Sequence, residues 1–300
     1  MLYIAELLIT VDTNPGTMKT ILFLFILLSA CVFASAQDVV VSDSIPTGDS
    51  PYMQAVEQAD SAIAQEKWEQ ALQLLDKAMH LEPSNPSNVL LLSNAGMLRY
   101  YLGQDSAAIA TLNAAHAMAP ASVTVLTNRA RIYNAIGDET KAFADYQLVT
   151  QLDSMLFDPW LQLGFLQLRG GDFKGAGISI TKAEELEPDN IQVILTRALY
   201  LEATGKPGEA IPYYSRLIRN EASPELYAAR AICNIRTDDL GEAADDIAKG
   251  LEMAPDDPDL LVARSLLNRR RYREKDAQAD AQAAVAAGAD PMRVKVITGY

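Results

Sequence analysis

Residues 160–188 read WLQLGFLQLRGGDFKGAGISITKAEELEP, and the order of residue types in this stretch decides the fold. Trp160, Leu163, Gly164 and Gln167 belong to one predicted helix, and Ala176, Ile180 and Ala183 to a second. Gly171 lies between them, where a tight turn needs a left-handed backbone, and Pro188 stops the second helix. The stretch is therefore a helical hairpin. A small residue such as Gly164 on the first helix lets the second approach closely, while Ile180 fills the space beside it.

Outward from this hairpin the same ruler repeats. Ala71, Ala108, Ala142, Ala176, Ala210, Ala243 and Ala277 are separated by steps of 37, 34, 34, 34, 33 and 34. Gly103, Gly137, Gly171 and Gly205 fall at the turns, and Pro83, Pro120, Pro188 and Pro255 at unit ends. Glu66 and Tyr272 stand in the turn glycine's place in the first and seventh units. Small residues recur on the first helices (Ala59, Gly96, Ala130, Gly164, Ala198, Ala231), and Leu75, Leu112, Tyr146, Ile180, Tyr214 and Ile247 recur as fillers on the second. A lone hairpin would expose an apolar face, and stacking neighbours covers it.

The fourth unit, with Trp160-x-x-Leu163-Gly164-x-x-Gln167, Gly171, Ala176-x-x-x-Ile180, Ala183 and Pro188, resembles the tetratricopeptide repeat, Gln167 standing where the family carries tyrosine. That resemblance implies an all-α, right-handed superhelical solenoid of about seven helix-turn-helix repeats across 52–290. Units are expected near 52–85, 89–122, 123–156, 157–190, 191–223, 224–257 and 258–290, with a C-terminal tail over 291–300.

The first 36 residues read as an export segment rather than part of the fold. Lys19 after Met18, the apolar run 21–28 and Ala34-Ser35-Ala36 before Gln37 form a charged region, an apolar core and a cleavage site in that order. Translation is expected to start at Met18, and the mature chain at Gln37. Leu28-Ser29-Ala30-Cys31 offers a second reading, because it resembles a bacterial lipobox whose cysteine becomes lipidated. Both readings place the mature protein outside the cytosol, periplasmic or envelope-associated in the first and an outer-membrane lipoprotein in the second. Residues 37–51, with Pro46, Gly48 and Pro51 among Asp and Ser, read as a solvated linker.

Composition excludes several function classes. A formal charge of −14 argues against nucleic-acid binding, which needs a clustered basic surface. His80 and His116 belong to no metal-spaced cluster, and Gly171–Gly177 is a turn with no preceding strand, so neither a metal nor a nucleotide cofactor is expected. Glu184-Glu185 and Asp245-Asp246 diverge by about 100° as helix neighbours and read as solvated faces rather than paired catalytic acids. Cys233, beside Ile232 and Ile235, reads as a buried thiol. The expectation is a chain with no catalytic residue, whose partner is a protein or peptide; a membrane enters only if Cys31 is lipidated.

In the family the first helices line a concave groove, and the resemblance carries that role here to Met97, Tyr100, Tyr101, Arg131, Asn134, Leu161 and Phe165. A wider set adds Val56, Asp60, Ser93, Thr127, Leu168, Leu195, Leu199, Glu202, Ile232 and Arg236; the alternative is that several of the apolar positions pack between first helices rather than face a ligand. The lysine- and asparagine-rich carboxylate clamp of the chaperone-binding relatives is absent. Residues 258–300 hold eight Lys/Arg against five Asp/Glu, while 37–257 hold sixteen against thirty-two. The C-terminal unit is thus a basic end centred on Arg269, Arg270, Arg271 and Arg273, read either as a solvated cap or as a patch for an anionic partner.

Overall fold

A computed structural model describes residues 50–300. The export segment with Cys31, and the linker as far as residue 49, lie outside the described residues. Ser50 and Pro51, placed in the linker by sequence, instead begin the first helix: the Ser50 side chain accepts a hydrogen bond from the Met53 amide, and proline suits the first helical position.

The described residues form fifteen helices and no strand. They are α1 (Pro51–Ala64), α2 (Trp68–Leu81), α3 (Asn88–Tyr101), α4 (Asp105–Met118), α5 (Val123–Ala135), α6 (Glu139–Leu152), α7 (Phe157–Arg169) and α8 (Phe173–Leu186), then α9 (Ile191–Ala203), α10 (Pro207–Asn220), α11 (Pro224–Arg236), α12 (Leu240–Met253), α13 (Pro258–Arg270), α14 (Glu274–Ala286) and α15 (Pro291–Thr298). Contacts divide them into two compact units, one ending at Leu163 and the other beginning at Gly164.

In the first unit α1 packs on α2, α3 on α4 and α5 on α6, and the first helices α3 and α5 lie side by side. In the second, α9 packs on α10, α11 on α12 and α13 on α14, with α11 beside α13. The stretch 291–300, left as a tail by the repeat ruler, carries α15. This helix packs on α13 and α14, with Val294 buried and Asp290 accepting from the Arg293 amide at its start.

Every hairpin turn has the same construction. One residue adopts positive φ, at Glu66, Gly103, Gly137, Gly171, Gly205, Asp238 and Tyr272, with φ between 56° and 84°. The next amide then bonds back five residues, as in Asp138 to the Tyr133 carbonyl at 2.8 Å and Arg273 to the Asn268 carbonyl at 2.9 Å. Four of these positions are glycine, which enters that region freely, and three are not. Tyr272 is 90% exposed there, so its ring gains no burial for the strain.

The ruler alanines from Ala71 to Ala277 are fully buried, as are Leu75, Leu112 and Ile180. Gly96 shows why a small residue is required on a first helix: a Cβ placed there would lie 2.6 Å from Leu112 Cγ.

Buried polar pairs recur within each unit. Arg129 makes paired bonds to Asp145, both 2.8 Å, and reaches Asn113 on the preceding hairpin. Arg230 binds Asp246 and Ser215 in the same way, and Arg264 binds Asp280. Asn234 and Asn268 add bonds to those two aspartates. The solvated reading of Asp246 is therefore corrected: it is 1% exposed and held by two partners, because a carboxylate facing the hairpin interior needs its charge matched. Glu184 is likewise engaged, by Arg197 and by the Tyr213 hydroxyl, whereas its neighbour Glu185 is exposed.

Candidate partner-binding site

An open depression of about 500 Å³ lies in the first unit, lined by Tyr100, Tyr101, Gly103, Asp105, Ala135 and Ile136. The last turn of α3 supplies the two tyrosines, the hairpin turn supplies Gly103, and the start of α4 supplies Asp105. From the neighbouring hairpin come Ala135, the last residue of α5, and Ile136, its C-cap. The side-by-side packing of α3 and α5 brings these ends together. Gly103 takes the left-handed turn backbone there, with φ 71°, and Ile136 is 43% exposed.

The tyrosines are held rather than loose. The Tyr101 ring lies 5.3 Å from Trp68 and 6.0 Å from Tyr100, both tilted contacts. Burial, and secondarily the Asp105 charge, push the Tyr100 phenol above its ordinary pKa, so it stays protonated and keeps its donor. Aromatic rings on a rigid helix end, beside an exposed isoleucine and a carboxylate, can hold a partner side chain by apolar contact and fix it by polar contact.

Of the residues assigned to a groove by resemblance, Tyr100 and Tyr101 line the depression. Met97 does not: it is fully buried against Ala108, Leu112 and Ile132. Leu161 is 3% exposed, and Val56, Leu168 and Leu195 are likewise core residues, so the groove role is corrected for all of them. The cause is that a first helix is covered both by its own partner helix and by its neighbours, leaving only a narrow arc uncovered. Arg131 is half-buried and pairs with Asp158 at 3.0 Å, Asn134 is half-buried, and Phe165 lies under the Arg169 guanidinium at 5.4 Å.

Glu202, in the wider set, is also interior. The Tyr214 hydroxyl donates to it and Arg236 stands 3.9 Å away, while burial raises its carboxyl above the usual range. Burial likewise raises the Cys233 thiol, leaving it protonated and inert, as its apolar neighbours suggested.

The basic end is spent largely on structure. Arg269 donates to the Thr298 carbonyl, Arg270 pairs with Asp238, and Arg271 donates to the Leu240 carbonyl, each at 2.6 Å. These bonds fix α15 and the neighbouring turn, and Arg273 remains exposed. Sequence reasoning placed Gly103 only as a turn glycine and gave Asp105, Ala135 and Ile136 no part in a site. The available signal was Ile136, an apolar residue directly before a turn glycine.

Hairpins packed on an alanine ruler define the class as an all-α helical-repeat fold. Comparison with known proteins narrows it. The family model described as Tetratricopeptide repeat matches residues 195–258. A tetratricopeptide repeat protein from Parabacteroides merdae aligns with a TM-score of 0.59 at 23% identity, over 83% of this chain and 97% of that one. YrrB, described as a TPR protein with an unusual peptide-binding site, aligns with a TM-score of 0.51 at 20% identity, over 61% and 95%.

In sequence, the co-chaperone sgt12 of Aspergillus fumigatus is 34% identical over 106 residues, 35% of this chain and 30% of that protein. The chain spans only 6% and 30% of the length of the curated relatives it matches. The chain thus carries tetratricopeptide-repeat sequence over 195–258 and shares the fold of tetratricopeptide-repeat proteins.

Proposed function

We propose that this protein is a non-catalytic scaffold of the bacterial cell envelope or periplasm, which holds a protein or peptide partner at the Tyr100–Ile136 depression. The observation that carries the site is the pairing of two half-buried tyrosines with an exposed isoleucine from the next hairpin. The description of YrrB as peptide-binding supports a peptide partner by analogy of fold. Export rests on the n-region, apolar run and Ala34-Ser35-Ala36 of the N-terminus.

The test is affinity capture from envelope extracts with the chain from Gln37, identification of the retained protein, and titration of that purified protein against Tyr100→Ala and Ile136→Ser. Both variants should weaken binding about tenfold or more while remaining helical. Unchanged affinity in both would remove the depression from the mechanism.

A lipid-anchored assembly factor for an outer-membrane or secretion complex is the second reading, favoured by Leu28-Ser29-Ala30-Cys31. Intact mass of the exported product separates the two: a chain beginning at Gln37 supports simple cleavage, and a diacylated Cys31 supports the anchor.

A further inference from the structure

We infer that the depression takes a lysine or arginine side chain of the partner. The inference rests on the proposed reading that a partner segment sits there, and it assigns the chemistry of the residue that enters. Asp105 is the charged group in the lining, and no Lys or Arg lines it. Asp105 is exposed and carries no salt bridge among the described residues, whereas the first unit's arginines are engaged: Arg99 with Thr111 and Asp76, Arg129 with Asp145, and Arg131 with Asp158.

Residues 50–163 hold twelve Asp/Glu against six Lys/Arg, so the surrounding unit is acidic and draws cations toward it. The remaining lining suits the same occupant. Tyrosine faces carry negative quadrupole density that attracts ammonium or guanidinium. Ala135 and the exposed Ile136 offer apolar contact for the methylene stem of a long basic side chain. An acidic partner residue would meet the Asp105 carboxylate and be repelled. A purely apolar one would satisfy the isoleucine and leave a carboxylate at its edge partly desolvated without a counter-charge.

A random peptide library displayed on phage, selected against the chain from Gln37, tests this directly. The enriched peptides should share a Lys or Arg, and the best of them is then synthesised. Replacing that residue by norleucine, which keeps the stem and removes the charge, should weaken binding about tenfold. Asp105→Asn should weaken the parent peptide by a similar factor and shrink the norleucine effect to about twofold or less, the signature of two groups that act on each other. Binding of the parent peptide should also fall as salt is raised.

Enriched peptides that lose affinity on Tyr100→Ala but carry no shared basic residue would overturn the inference while the site itself stands. Peptides indifferent to both Tyr100→Ala and Asp105→Asn would overturn the site and the inference together. Asp105 is exposed on the first turn of α4, so a far-UV spectrum matching the parent protein is the folding control.

Discussion

Gly96→Ala sets two known effects of opposite sign against each other inside one hairpin. Gly96 lies within α3, where replacing glycine by alanine favours the helix by about 1 kcal/mol. The new Cβ would stand 2.6 Å from Leu112 Cγ and 3.2 and 3.3 Å from its two methyls. Cγ is the branch point of the side chain, so no rotation of a flexible end relieves the clash. Leu112 is itself fully buried, packed with Met97, Ala108 and Ile132, and must push into neighbours that have no room. Overpacking of this kind costs about 1–3 kcal/mol, and with both Leu112 and its neighbours buried the upper part of that range applies, so packing should win and the variant should lose up to about 2 kcal/mol.

A repeat array opens in parts, so the assay is hydrogen exchange resolved to peptides rather than one global melt. Protection should fall in α3, α4 and the helices touching them. The decisive comparison uses Leu112→Ala as a second background. That change alone costs about 2–5 kcal/mol, and it empties the space the new Cβ needs. In that background Gly96→Ala should be stabilising. The reasoning fails if Gly96→Ala raises protection in the parent protein, or if its effect has the same sign and size in both backgrounds.

Tyr272→Gly should stabilise the last hairpin by about 1 kcal/mol, because a 90% exposed ring in a left-handed backbone gives up little on removal; a denaturation midpoint that falls would refute this. Arg230→Ala should cost about 3–5 kcal/mol by stranding the buried Asp246 carboxylate, whereas joint replacement of both by apolar residues should cost far less, as a thermal denaturation series would read. Glu202 has a folded pKa raised by burial, so its stabilising share is full below the ordinary carboxylate range and is lost as pH rises through the raised value. Glu202→Gln, which keeps an acceptor for Tyr214, should therefore be more stable than the parent at pH 7. The gap should close toward pH 4 in denaturant titrations, and a gap that widens there would contradict the sign.

The repeat was legible because its physics is local and recurs. A hairpin interior admits only a small residue at Gly96, Ala130 or Gly164, and a left-handed turn favours glycine, so composition and spacing carry the architecture. The ruler failed where a residue tolerates the position at a cost. Asp238 takes positive φ with no glycine to announce it, and Glu66 and Tyr272 were placed only by counting. It also missed α15, whose eight residues are too few to complete a hairpin but whose Asp290-Pro291 start is a usable capping signal.

The site was less legible, because an apolar residue on a first helix looks the same in sequence whether it faces a partner protein or the next helix. Met97 and Tyr100 stand three residues apart on α3, yet the first is sealed beneath Leu112 and Ile132 while the second reaches the depression at the helix end. What separates them is the number of helices packed around each face, which no single unit encodes. Charge was misread for the same reason. Asp245 and Asp246 are adjacent, but about 100° of rotation turns one to solvent and the other toward Arg230, and only a partner sixteen residues upstream distinguishes them. Arg129–Asp145, Arg230–Asp246 and Arg264–Asp280 share that separation, so the pattern was present in the sequence as a second ruler. Read with the alanine ruler, it marks those arginines as structural and sets apart carboxylates such as Asp105 that have no arginine at that spacing.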